Sequence, residues 1–125
     1  MTLPTSLPFA FDDRNIRWQP LGDLPHFVAA VYDIDETRKI VDFVIKFQPN
    51  QQIVLHRHLS LTQTLVIQGE HRIYEPDGAL KEIRACGSYT SSPPGPPHRE
   101  GGGDEGAVVF YSLRGADDRY FDLLD

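Results

Sequence analysis

Between residues 39 and 47 the chain alternates. Val41, Phe43, Ile45 and Phe47 fall on one side of an extended backbone, with Asp42 and Lys46 on the other. Successive side chains of a strand point to opposite faces, so this pattern predicts a half-buried strand. Residues 27–34 are rich in β-branched and aromatic types and predict a second. Pro49-Asn50 marks a turn, and residues 52–58, 62–68, 72–75, 79–84, 88–92 and 107–113 predict further strands. Pro76-Asp77-Gly78 is a hairpin turn between two of them. Four prolines keep residues 93–97 out of a central strand, because each removes a ladder donor. Gly101-Gly102-Gly103-Asp104 reads as a loop, and residues 120–124 as a last short strand or a turn of helix. No segment sustains a helical period. Many short strands punctuated by Gly and Pro predict an all-β antiparallel sandwich or barrel. Residues 1–13 read as an extended N-terminal arm, which leaves 14–125 as a single domain.

Composition narrows the partners. The net charge is −6, whereas nucleic acids and anionic membranes attract clustered Lys and Arg. No apolar run approaches the length of a bilayer span, and the first residues show no basic-then-apolar secretory signal. The expectation is therefore a cytoplasmic protein without nucleic-acid or membrane partners. A lone Cys86 cannot form an internal disulfide, which fits a reducing compartment, and it reads as a small buried hydrophobe. The acidic tail, from Asp117-Asp118 to Asp125, reads as a solvated edge.

The chemistry lies in three histidines. His56 and His58 form an HxH pair, which places both imidazoles on one face of a strand. Imidazole is a common ligand for zinc, iron, copper and nickel, so a third histidine brought back by the fold would close a metal site. His98, at the end of Pro93-Pro94-Gly95-Pro96-Pro97, is that candidate. The prolines stiffen the bend and Gly95 supplies conformations other residues resist.

These residues resemble the two motifs of the cupin superfamily. His56-Arg57-His58 followed by Gly69 matches the first, and Gly87, Pro93, Gly95 and His98 match the second without a gap. The resemblance implies a cupin-type β-sandwich or jelly-roll barrel, often paired as a homodimer. It also implies one divalent metal per chain on His56, His58 and His98. The family's usual glutamate position falls on Thr62, with Gln63 beside it, and its closing asparagine on Gly102. Without the carboxylate the pattern resembles the three-histidine cupin dioxygenases, such as the acetylacetone and 2,4'-dihydroxyacetophenone dioxygenases. That implies Fe(II) and O₂, and cleavage of a carbon–carbon bond in a small carbonyl substrate, a β-dicarbonyl or hydroxy-ketone. Zn or Ni would instead suit an isomerase or hydrolase, and a non-enzymatic sensor is a further alternative.

Other residues are candidates for the pocket. The Thr62 hydroxyl is placed to hold a metal-bound water, and Gln63 is a possible direct ligand. Continuing the strand phase past Gly69 puts Arg72 and Tyr74 in the barrel. There Arg72 would grip an anionic substrate group, the alternative being a rim ion pair. His71 reads as exposed at a strand start, and His26 as a strand-entry residue. Phe43, Phe47, Phe110 and Tyr111 read mainly as core, with the 109/111 and 108/110 phases left open.

Overall fold

The structure is a computed structural model and describes residues 11–115 and 119–124. Most of the expected N-terminal arm, and Asp117, Asp118 and Asp125 of the acidic tail, lie outside the described residues. Eight strands follow in order: β1 (Phe27–Asp35), β2 (Ile40–Phe47), β3 (His56–His58), β4 (Leu61–Tyr74), β5 (Leu80–Ala85), β6 (Tyr89–Ser92), β7 (Arg99–Arg114) and β8 (Phe121–Leu123). All pairings between them are antiparallel, and no helix occurs among the described residues. None is therefore long and apolar enough to cross a membrane. The large sheet runs β1-β2-β7-β4-β5, with β6 also on β4, and β3 pairs with β8 in a second small sheet.

The alternation in β2 does what it predicts. Ile45 and Phe47 are buried in one core with Phe27, Ala29, Val66, Val109, Tyr111 and Leu113, and Phe43 packs against it. Register places Phe43 opposite Tyr111 and Ile45 opposite Val109, so the 109/111 phase faces inward and Phe110 lies on the other face. Ring stacking reinforces the row, with Phe43 and Tyr111 centroids 5.0 Å apart.

Three expectations fail for one reason, the irregular middle of β4 and β7. Gly101-Gly102-Gly103-Asp104 is not a loop but part of β7, where Gly102 pairs with His71 and Gly101 with Arg72. Glycine is needed there because a Cβ on Gly101 would sit 2.0 Å from the Gln51 carbonyl oxygen. Register shifts fall between Val66 and Gln68 and between Gly69 and His71. The first reverses the facing of β4, because Ile67 is left without a partner on β7, whereas the second keeps the facing of β4 and shifts that of β7. Thr62, Thr64 and Val66 point inward before the shifts, and His71 and Ile73 after them. Arg72 is thereby turned away from the interior, Tyr74 stays buried but on the Gly101 side, and His71, expected at the surface, is 0% exposed. Cys86 also departs from expectation: it is exposed, and its thiol donates to the Ile67 carbonyl.

Gly69 is the pivot of this irregularity. Its φ is +74° and a Cβ there would meet the Gly106 carbonyl oxygen at 2.2 Å. Gly69→Ala is therefore expected to destabilise the protein by about 2–4 kcal/mol, combining left-handed strain with a backbone clash. Denaturant unfolding measures it, and a loss below about 0.5 kcal/mol would contradict the described register.

Candidate metal centre

β3 carries His56 and His58 at i and i+2. His98 reaches them through the backbone: His56 N–H donates to the His98 carbonyl at 3.1 Å and His98 N–H to the His56 carbonyl at 2.8 Å. This bridge explains how a residue more than forty positions away returns to the pair. The three ring centroids lie 4.7–5.1 Å apart.

A fourth group completes the cluster, and sequence reasoning missed it. Glu100 stands two residues after His98 and its Oε2 lies 2.6 Å from His56 Nε2, 3.3 Å from His98 Nε2 and 3.4 Å from His58 Nε2. One ligand atom from each of the four residues lies within 4.8 Å of all the others. The neutral three-histidine set is therefore corrected to three histidines and one carboxylate. The signal was in the sequence: His98-Arg99-Glu100 has the same i, i+2 spacing as His56-Arg57-His58.

The donor chemistry fits a cation. His56 Nδ1 lies 2.8 Å from the Val54 carbonyl, an acceptor, so this nitrogen carries the ring proton. In the neutral ring Nε2 then presents a lone pair, and it faces a carboxylate oxygen. Two electron pairs in contact repel unless a proton or a metal ion sits between them. Without a metal the protein supplies the proton. Burial disfavours charge on His56, yet the bond to Glu100 and its negative charge prevail, so the His56 pKa is raised. Burial likewise works against an ionised Glu100, but bonds from His56, His58, His71 and His98 hold its pKa well below the usual carboxylate range. A divalent ion would replace the proton, held by His56, His58, His98 and Glu100.

The far oxygen of Glu100 is anchored. Tyr111 O–H donates to Oε1 at 2.5 Å and His71 Nε2–H at 2.8 Å. Burial, then the neighbouring carboxylate charge, drives the Tyr111 pKa well above its ordinary value, so the hydroxyl stays a donor. His71 is itself fixed by stacking on Phe47, at 5.3 Å between centroids. Two inward side chains from β4 and β7 thus hold the carboxylate with Oε2 aimed at the imidazoles.

The other expected residues separate. Thr62 is buried and faces a polar cleft beside His58 and His98, with its hydroxyl donating to the Ser60 carbonyl at 3.2 Å. Gln63 points to the opposite face of β4, opposite Ser112 and Ser91 in register, so Glu100 and not Gln63 fills the fourth position. Arg72 bonds to Glu70 at 2.6 Å, to Asn50 and to Tyr74, and none of these borders the metal centre. Arg72 thus belongs to an outer cluster, and Tyr74, although buried, lines neither cavity at the metal centre. His26 precedes β1 as expected, with a positive φ of 76°.

No protein-family model matches the sequence, and comparison with curated proteins gives no match. Solved structures do match. A cupin-like protein from Thermotoga maritima superposes with a TM-score of 0.67 at 16% identity, covering 84% of this chain and 82% of that one. The polyketide cyclase RemF from Streptomyces resistomycificus gives 0.68 at 15% identity, with 95% and 87% covered. An RmlC-like cupin from Ralstonia eutropha gives 0.68 at 15% identity, with 94% and 76% covered. Identities this low speak for the backbone alone and not for a shared substrate. The strand order, the inward histidines and these superpositions together give this chain the fold of the RmlC-like cupins.

Proposed function

We propose that this protein is a mononuclear metal-dependent oxidoreductase, a non-haem iron dioxygenase cleaving a carbon–carbon bond of a β-dicarbonyl or hydroxy-ketone. The observation that carries the metal dependence is Glu100 Oε2 facing three imidazole nitrogens, His56 among them with its lone pair directed at the carboxylate. A ferrous ion held there supplies Lewis acidity, which favours the enolate of the substrate, and a redox partner for O₂.

Glu100 alters the charge argument without removing it. Three neutral imidazoles and one carboxylate leave a divalent ion with one uncompensated positive charge. A monoanionic enolate neutralises it, which suits a β-dicarbonyl better than a dianion. His71 and Tyr111 keep the carboxylate in place, and apolar residues, Phe43 and Leu113 among them, line the approach to the centre.

The carboxylate also favours a second reading. The likeness to three-histidine dioxygenases drew on an all-neutral donor set. With Glu100 included, the same four donors suit zinc or nickel in an isomerase or hydrolase that needs no O₂. Metal analysis of freshly purified protein, then O₂ uptake with dicarbonyls after anaerobic iron loading, separates the two. The expected result is uptake that tracks substrate one to one. Stoichiometric zinc with no uptake on iron loading would replace the dioxygenase with the second reading.

A further inference from the structure

Two cavities meet at the metal centre, and they differ in chemistry. One, of about 230 Å³, lies beside His58 and His98 and is lined by hydroxyls and charges, including Thr62, Thr64, Arg84 and Thr90. The other, of about 460 Å³, reaches His56, His58 and Glu100 from the opposite side. That volume lies within the range of small-molecule sites, roughly 300–1,000 Å³. Its walls come from the inward face of β1 and β2, from β7 and from β8, with Val41, Phe43, Ile45, Leu113 and Leu123 among them. Among the described residues, and apart from the hydroxyls of Tyr111 and Tyr120, the polar side chains on its wall are His56, His58 and Glu100. The Tyr111 hydroxyl is already committed to Glu100. Around the outside, Leu21, Val31, Phe121 and Leu123 are exposed, so the apolar lining continues to solvent.

We infer, resting on the metal-dependent activity proposed above, that the substrate is an apolar molecule, aromatic or branched aliphatic, with a single chelating oxygen head. The head belongs at the His56, His58 and Glu100 end and the body in the larger cavity. Among the described residues, and the Tyr120 hydroxyl apart, polar partners exist at one end only. A charged or hydroxylated body would lose its hydration along Val41, Phe43 and Leu113 and gain no hydrogen bond in return. An apolar body loses nothing and removes its own surface and that of the lining from water. Register supports the placement: Leu123 lies opposite His56 and Phe121 opposite His58, so the apolar lining begins directly beside the ligands.

The test uses the full chain loaded with zinc, which binds without oxygen chemistry, and isothermal calorimetry with three probes. These are acetylacetone, benzoylacetone, and benzoylacetone bearing a para-carboxylate on its ring. Benzoylacetone is expected to bind roughly 10–100-fold more tightly than acetylacetone, from the added apolar area. The para-carboxylate is expected to cancel that gain. Val41→Asp, which places a charge on the wall, is expected to abolish the preference for the phenyl probe while leaving zinc affinity unchanged. Equal affinities for all three probes, tighter binding of the carboxylated one, or no binding of any would overturn the inference. The wild-type comparison stands by itself if the variant does not fold. The dioxygenase proposal fails separately: the phenyl preference with zinc but no O₂ uptake with iron would leave the cavity assignment standing and remove the oxygen chemistry.

Discussion

Glu100→Gln is expected to lower divalent-metal affinity by at least about 100-fold, some 2.8 kcal/mol, because residues that merely orient a metal ligand already cost 10–100-fold. Gln keeps the shape of the side chain but donates through its amide. Its carbonyl can accept from Tyr111 and His71 as Oε1 does now, which turns the NH₂ toward the three imidazoles. Those imidazoles then receive a hydrogen bond where they now face a carboxylate at 2.6–3.4 Å. The metal-free variant should therefore fold as well as the wild type, with an amide N–H of Gln taking the place of the proton that bridges His56 and Glu100 in the metal-free wild type. What disappears is the extra stability that a bound ion confers on the native state. Thermal unfolding with and without zinc reads both effects. A wild-type rise in Tm with zinc, and none in the variant at the same concentration, is the expected pattern. An undiminished rise in the variant would show that Glu100 is not a ligand.

This residue also marks the limit of what could be read from the chain. The alternation of residues 39–47 and the HxH pair use period-2 geometry, and both elements appear, although the strand expected over 52–58 is reduced to His56–His58. The spacing from Gly87 to His98 correctly returned the third histidine, since a short Pro-rich bend leaves few routes. Glu100 escaped because it directly precedes a glycine run, and a glycine run reads as loop. The run is strand because the backbone of Gln51 passes within 2.0 Å of where a Gly101 Cβ would be, a tertiary demand that composition does not reveal. The same irregular segment explains His71. Alternation counts residues, whereas the shift at Ile67 in β4 adds one that the count cannot see. His71 thereby exchanged its surface position for one at 2.8 Å from Glu100, and Arg72 went the other way.

Both misplaced features converge on one arrangement. β7 carries Glu100 before its glycine-rich irregularity and Tyr111 after it, and both point inward although they differ in parity. A regular strand would place residues 100 and 111 on opposite faces. The irregularity thus lets one strand supply both the carboxylate and the hydroxyl that holds it. Residues 101–106 are in this sense part of the metal centre's construction, although none of them is a donor.

Tyr111→Phe should then reduce metal affinity about 10–100-fold and destabilise the protein by about 1–3 kcal/mol. The ring would keep its stacking on Phe43 and lose only the hydroxyl. Glu100 Oε1 would retain His71 as donor and lose the shorter of its two bonds. A buried carboxylate with fewer donors takes up a proton more readily, and that proton competes with the metal. A purely structural role for Tyr111 would also cost stability, so the single variant is not decisive. The double variant with Glu100→Gln is. If Tyr111 acts through the carboxylate, adding Tyr111→Phe to Glu100→Gln should change zinc affinity by less than about twofold, although it costs 10–100-fold in the wild type. Effects that simply add would mean that Tyr111 acts on the histidines or on the fold by another route, since residues in one network couple and independent ones do not.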